Sequence, residues 1–571
     1  MRISLTSFSY LNFTQFFTAL NDNLFKLLLA FFLISLLGAE HSNTILALAG
    51  AVFVVPFIIF ASLAGTLADR FSKRSIIYFT RFFEIVSTLL GVLAFLLQSP
   101  VLGYSVLFLM AAQSTLFSPC KYGIIPEIVK PDRISDCNGM MTATTYLAII
   151  FGTFFASFLT EVTNKNFVLS SFTCVAIAVL GLISSFGIQK TKPQAASKKI
   201  SPHFLSVIFQ TLKQARKRRY LLTTIVSGAY FLFMGAYTQL NIIPFTLQSL
   251  GLSEIHGGYL FLMTAIGIGI GSFGVGKLSG KEVELGFVPI AAMGVTSCYL
   301  ALYFFQSHLI VIAFFLVLVG ICGGFFIVPI EAFIQIASPD VDRGQNVAAA
   351  NFLSFIGVII ASGLLALLGN FFHLSAATGF FLVGVLTFVM AFVLLLLFAD
   401  QFLRLGVALI AKLFYRIRVW GKTRIPTKKP VLLVTPRANW IDTLIVMATL
   451  PRLIRYIVPL KKGKKRKIIY RLLWLIPIDI EHFSPVGTTA LKTIQKELNS
   501  GHSVCLMHPV DLPTKTLKEW EAHLYELLQD IDVPILPIHI SHPTPPPKMS
   551  LWTQLKTLRK EPIKVSYGST R

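Results

Sequence analysis

Gly65-Thr66-Leu67-Ala68-Asp69-Arg70-Phe71-Ser72-Lys73-Arg74 breaks a long apolar run with a glycine, an acid and three bases. A weaker copy, Gly276-Lys277-Leu278-Ser279-Gly280-Lys281, occupies a corresponding place in the second half of the chain. A second pair accompanies them. Pro119-Cys120-Lys121, then Pro131-Asp132-Arg133 and Asn138, is echoed by Pro329-Ile330-Glu331, then Pro339-Asp340, Arg343 and Asn346. Two pairs at matching places indicate an internal duplication rather than chance likeness between apolar stretches.

The sequence around these loops reads as membrane spans, since a spanning helix needs about 20 predominantly apolar residues. Twelve are expected, near 12–37, 45–67, 75–98, 101–124, 138–160, 167–188, 221–247, 256–278, 286–306, 308–333, 346–370 and 377–399. Alternate joints carry the cations: Arg70, Lys73 and Arg74; Lys130 and Arg133; Lys190 through Arg219; Lys277 and Lys281. By the positive-inside rule these joints, and both ends of the membrane part, face the cytoplasm. The longest joint, 189–220, divides the spans six and six, a plan in which the site lies between the halves near midplane. The first apolar stretch is long enough to span and lacks a small-residue cleavage site, so no removable signal peptide is expected.

Composition agrees with an apolar chain but adds a puzzle. Of 571 residues, 54% are hydrophobic and 13% charged, yet 50 Lys and Arg face 26 Asp and Glu. Soluble chains carry about 25% charge, which excludes an ordinary soluble domain for the whole. The net charge of +24 splits unevenly, +7 in residues 1–400 and +17 in 401–571. A tethered basic domain is expected to face anionic membrane lipid rather than nucleic acid. The six cysteines show no metal or redox spacing and read as small apolar packing; no metal or cofactor is expected. Most of the 51 Phe lie in spans and read as lipid-facing packing.

The Gly65–Arg74 loop resembles the signature loop between spans 2 and 3 of the major facilitator superfamily, with Ser72 where Gly is usual. Within it, two further stretches resemble the bacterial lysophospholipid transporter branch. These are Phe17-Thr-Ala-Leu-Asn-Asp22-Asn23-Leu-Phe-Lys26 and Phe117-Ser-Pro119-Cys-Lys121-Tyr-Gly123-Ile-Ile-Pro126-Glu127. The resemblance covers roughly residues 10–400. It implies an all-α membrane domain of twelve helices, with halves 1–188 and 221–400.

Ionisable groups within spans are costly and are functional candidates by default. Asp22, Asn23 and Lys26 lie in span 1, with Asp22 and Lys26 one turn apart. Arg81 and Glu84 share a face of span 3. Lys121 and Glu127 end span 4, and Glu331 mirrors Lys121 in span 10. A zwitterionic lysophospholipid head carries a phosphate and an amine, so a cavity for it needs both signs. Lys26 or Arg81 would take the phosphate, and Asp22 or Glu84 the ammonium; Lys121 and Glu331 join the candidate binding set. Gly65, Asp69, Arg70, Arg74, Glu127, Arg133 and Arg343 are read as gating or structural. The sequence assigns no coupling ion, proton or sodium.

Residues 401–418 read as an apolar helix with spaced cations, lying on the membrane surface. Strand candidates follow at Val431–Val434, around Ile478, at Val504–Met507 and at Pro534–Ile540, between helical stretches near 441–456, 487–499 and 515–529. That alternation predicts a cytoplasmic α/β domain. The order of pieces resembles the glycerolipid acyltransferase family. The matches are Val431-Leu-Leu-Val-Thr-Pro-Arg437-Ala-Asn-Trp440-Ile441-Asp442, Ile476-Pro477-Ile478-Asp479, Met507-His508-Pro509 and Val533-Pro534-Ile535-Leu536-Pro537. The family's first block is a His, four residues and an Asp, with the His as general base. Asp442 is kept, but Arg437 stands at the His position, and a guanidinium cannot be deprotonated in a protein. Ile480 replaces a phosphate-binding Arg, and Val510-Asp511-Leu512 replaces Glu-Gly-Thr. Catalysis would need His508 or His482 as substitute base.

The tail is therefore expected to be an acyltransferase-like, non-catalytic lipid-binding or regulatory domain. Its cationic run, Lys461, Lys462, Lys464, Lys465, Arg466 and Lys467, is read as a membrane-surface patch. The leading expectation is a bacterial inner-membrane carrier that moves lysophospholipid to the inner leaflet for re-acylation. Acylation would be supplied in trans by an acyltransferase or acyl-activating enzyme. The alternatives are a bifunctional transporter and acyltransferase, or a carrier of another solute.

Overall fold

The computed structural model describes residues 6–38, 42–197, 203–252, 254–279, 283–414, 417–421, 430–438, 445–447, 449–450, 454–460, 475–479, 495–498, 503–509, 533–541 and 563–567. It forms two compact units, Met1–Leu397 and Phe398–Arg571.

Among its described residues, the first unit has helices and no strands. Its first half comprises α1 (Ser7–Leu37), α2 (Ser42–Ile59), α3 (Ala61–Arg70), α4 (Lys73–Leu96), α5 (Pro100–Gly123), the single turn α6 (Ile125–Ile128), α7 (Ile134–Val162) and α8 (Phe167–Ser185). A linking helix, α9 (Phe204–Arg216), leads to α10 (Leu221–Leu250), α11 (Glu254–Ser279), α12 (Phe287–Phe304), α13 (Leu309–Ala337), α14 (Arg343–Ala366) and α15 (Ala376–Leu397). Among the described residues, eleven helices are long and apolar enough to cross a membrane, and the α2–α3 pair makes a twelfth.

Local chemistry explains the ends. Thr6, Ser99 and Asn166 cap α1, α5 and α8 by accepting the N–H of Ser9, Leu102 and Leu169. Gly251 closes α10 in the left-handed conformation (φ +64°) that glycine adopts without strain. Span 2, expected as one helix, is bent by 48° between Ile59 and Ala61. Pro56 lies just before the bend and cannot donate to the helical ladder, the usual cause of such a break. The 189–220 joint, read as a bare linker, contains α9.

The second unit opens with α16 (Ala399–Phe414). Its strands are β1 (Ile417–Trp420), β2 (Leu432–Ala438), β3 (Arg455–Leu460), β4 (Leu475–Asp479), β5 (Val504–Pro509), β6 (Ile535–Ser541) and β7 (Ile563–Tyr567). They form one sheet in the order β1-β7-β6-β2-β5-β3-β4. All neighbours are parallel except β6 and β7. Its core gathers Val431, Leu433, Ile445, Val446, Tyr456, Cys505, Leu536, Ile538 and Tyr567.

The surface helix read to 418 ends at Phe414, because Ile417-Arg-Val-Trp420 alternates inward and outward and pairs with β7. The helix read over 441–456 yields to β3 at Arg455, whose apolar alternation had been absorbed into a helical pattern. Arg404, one of the spaced cations of the expected surface helix, is buried and its Nη1 donates to the Leu450 carbonyl at 3.2 Å. The helical stretch near 515–529 lies outside the described residues.

Candidate functional site

A cavity of about 500 Å³ lies between the α1–α8 half and the α10–α15 half of the first unit. Asp22, Asn23 and Lys26 reach it from α1, Lys121 and Tyr122 from α5, and Glu331 from α13. The two halves line it unequally. The first supplies three of the four charges, while the second supplies an apolar wall of Phe231, Leu232, Phe261, Ile268, Ile327 and Ile330.

The charges are held differently. Glu331 Oε2 accepts from Thr142 Oγ1 across the two halves at 3.1 Å. One carboxylate oxygen of Asp22 accepts from Ser114 at 2.6 Å; the other, Oδ1, has no hydrogen-bond partner among the described residues. Lys26 lies 5.5 Å from the centre of the Phe53 ring, and Lys121 lies 4.9 Å from that of Tyr122. No salt bridge joins either ammonium to a carboxylate among the described residues. Two cations and one open carboxylate oxygen therefore converge on a half-greasy chamber.

Arg81 and Glu84 are absent from the lining. Both are fully buried behind it and pair with each other. Arg81 also donates to Thr18 and, at 2.7 Å, to Gln113; its guanidinium sits 4.4 Å from the Phe117 ring centre. Asn21 Nδ2 donates to Glu84 at 2.8 Å. Gln113 passes a bond to Ser114 (3.0 Å), which holds Asp22. Arg81 is thus linked to Asp22 through the Gln113 amide and the Ser114 hydroxyl, a placement suited to orienting that carboxylate. The sequence shared a helix face between Arg81 and Glu84 but carried no signal for which way that face points.

The repeated loops pair crosswise at two seams. In the first, Asp69 on α3 accepts the backbone N–H of Gly344 (2.6 Å) and Gln345 (3.2 Å) at the start of α14. A carboxylate there complements the helix dipole as well as its free donors. Gln345 returns a bond to Ser62 O at 3.1 Å. A Cβ added at Gly65 would stand 2.7 Å from Ala348 Cβ and 2.9 Å from Gln345 Cα, so only glycine permits this approach. In the second seam, Gly276 of α11 faces Asp136 and Gly139 of α7. Asn138 and Gln335 exchange two bonds, 3.0 and 2.7 Å, across the halves.

Charged residues brace the same end. Glu127 takes Lys73 at 2.6 Å and lies 3.9 Å from Arg343, which also pairs with Asp340. Lys73 is fully buried. Arg74 stacks on Tyr78, Arg70 on Phe71, and Arg133 makes an exposed pair with Asp136 at 3.2 Å. Sequence reasoning passed over Gln113, Ser114, Gln335 and Gln345, and read Lys73 only as a loop cation. Polar side chains inside long apolar helices were the available signal.

Residues 11–361 match the sequence profile of the Major Facilitator Superfamily. The chain belongs to that family. Two curated relatives are named lysophospholipid transporter LplT. That of Escherichia fergusonii is 28% identical over 368 residues, covering 62% of this chain and 85% of its own. That of Enterobacter sp. is 27% identical over 381 residues, covering 65% and 89%. Among solved structures, the family transporter FucP in its outward conformation shares the fold at 16% identity, with a TM-score of 0.55 over 68% of this chain and 97% of FucP. A bacterial homologue of the iron transporter ferroportin in an outward-facing state also has a TM-score of 0.55, at 12% identity, over 70% and 99%. The twelve-span facilitator fold makes this chain a multi-pass membrane transporter.

In the second unit, Arg437 falls within β2 and His508 within β5. Asp442, His482 and the cationic run 461–467 lie outside the described residues. Burial pushes the Cys505 thiol and the Tyr456 phenol upward, so both stay protonated and neither offers an anionic nucleophile.

Proposed function

We propose that this protein carries lysophospholipid across the bacterial cytoplasmic membrane to the inner leaflet by alternating access, for re-acylation by enzymes in trans. The observation that carries the reading is the split cavity: Lys26 and Lys121, in no salt bridge among the described residues, and the open Asp22 Oδ1 face an apolar wall from α10, α11 and α13. A lysophosphatidylethanolamine has matching parts. Its phosphate suits the two ammonium groups, its amine suits Asp22 and Glu331, and its single acyl chain suits the apolar wall. The likeness to proteins named LplT supports the same substrate class. The loops at the two seams are the cation-rich ones, which supports a cytoplasmic side for them and, in this proposal, for both ends of the membrane part and the second unit.

Translocation of labelled lysophosphatidylethanolamine into the inner leaflet of proteoliposomes tests this reading. Asp22→Asn and Lys121→Gln are each expected to slow it about tenfold, the effect of about 1.4 kcal/mol from one lost charge-assisted bond. Wild-type protein that moves no lysolipid, or variants that move it at full speed, would count against the proposal.

The second unit is proposed as a non-catalytic relative of glycerolipid acyltransferases that binds anionic lipid. Arg437 in place of the family's His supports this, since it cannot accept a proton. Purified protein given lysolipid and an acyl donor is expected to form no diacyl product. Turnover lost on Asp442→Ala would establish the bifunctional alternative instead.

A further inference from the structure

The linking helix α9 has three faces, and its sequence separates them cleanly. At 100° per residue, Phe204, Ile208, Thr211 and Ala215 fall together, and Ile208, Thr211 and Ala215 are buried. This face packs across the first seam, clustering with Ala61 beside α3 and with Ala349 and Phe352 of α14. About 125° away lie Leu205, Phe209, Lys213 and Arg216. Leu205 is 59% exposed and Phe209 69%. A third face, Ser206, Gln210, Gln214 and Lys217, is polar and exposed. The joint from 189 to 220 carries nine Lys and Arg and no Asp or Glu.

A helix with one face buried against protein, one exposed face of apolar and basic residues and one polar exposed face suits a membrane boundary. Chain continuity holds it there, because α10 begins at Leu221, five residues after α9 ends. We infer that α9 is an interfacial strap: Leu205 and Phe209 enter the lipid, Lys213, Arg216, Lys217 and Arg218 bind anionic headgroups, and Ile208 clamps the α3–α14 seam. Each cation near an anionic surface adds favourable energy, so anionic lipid holds the strap down and the seam shut. Opening the seam requires Ile208 to release one half, and anionic lipid thereby sets how readily the carrier turns over.

The full chain in vesicles of phosphatidylethanolamine, with and without phosphatidylglycerol, provides the test. All five native tryptophans lie at or beyond residue 420, so a tryptophan added in α9 is read as a difference from wild type. In Phe209→Trp, brominated acyl chains are expected to quench most of the added emission, and aqueous iodide little. Ser206→Trp should behave in the opposite way. Iodide quenching at both positions, or concealment from both quenchers by a partner protein or second copy, overturns the lipid contact. Spin labels at Phe71 and Val341 then report the seam. Phosphatidylglycerol should raise the closed-to-open ratio about tenfold in wild type, and less than twofold when Lys213, Arg216, Lys217 and Arg218 are all changed to Gln. An equal response in both proteins overturns the sensing role.

Discussion

Changing Arg81 to alanine is expected to cost about 3–5 kcal/mol of stability, because it strands the buried Glu84 carboxylate. Glu84 is 1% exposed and, among the described residues, keeps only the Asn21 amide as a side-chain partner once the guanidinium is gone. Thr18 and Gln113 lose a donor at the same time. Thermal unfolding of the detergent-purified protein reads the loss. Adding Glu84→Gln to Arg81→Ala removes the stranded charge and should recover a large part of it, a coupling that a double-mutant cycle measures. Should the two single losses simply add, the pair contributes no mutual stabilisation and the bracing of Asp22 must come from elsewhere. Loss of transport in Arg81→Ala alone is therefore not a sign of substrate contact. The informative comparison is transport per folded molecule.

Gly65→Val should have the second largest effect, on conformation rather than on folding. The first Cβ already stands 2.7 Å from Ala348 Cβ and 2.9 Å from the Gln345 backbone, where a β-branched side chain has no room. Overpacking costs about 1–3 kcal/mol, and here it falls only on the closed seam. A cost near the middle of that range moves the closed-to-open ratio about thirtyfold. It also lifts Asp69 from the amides of Gly344 and Gln345, removing a charged cap. Spin labels at Phe71 and Val341 should show the long-distance population becoming dominant, while the melting temperature changes little. A closed seam in Gly65→Val would mean that α3 and α14 have slack the structure does not show. Gly276→Val is the matching experiment at the second seam, where Gly276 faces backbone at 3.4 Å and the perturbation should be milder.

Much of the membrane part was legible because long apolar runs and loop cations obey one-dimensional rules. Spans need length, loops need charge, and a repeat is visible as text. The Gly65 loop and its weaker echo located the structural duplication, although not its consequence. Text places Gly65 with Gly276 as copies; the tertiary structure pairs Gly65 with Gly344 and Gly276 with Gly139, each copy meeting the opposite half. The four cavity charges Asp22, Lys26, Lys121 and Glu331 were also recoverable, since an ionisable group in an apolar helix is rare. Nothing in the sequence separated them from Arg81 and Glu84, which look identical by that criterion. Periodicity states which residues share a face, and only packing decides whether the face meets a cavity or a neighbouring helix. The same holds in the second unit, where Arg404 read only as one of the spaced cations of a surface helix and that helix was carried to Arg418. A helix rotated inward and a strand claimed by β7 are outcomes of contacts distant in sequence. The chain by itself determined that it crosses the membrane twelve times in two copies, since hydropathy and charge act locally. Which charges face the chamber, and which glycines close it, depended on helices brought together from opposite halves.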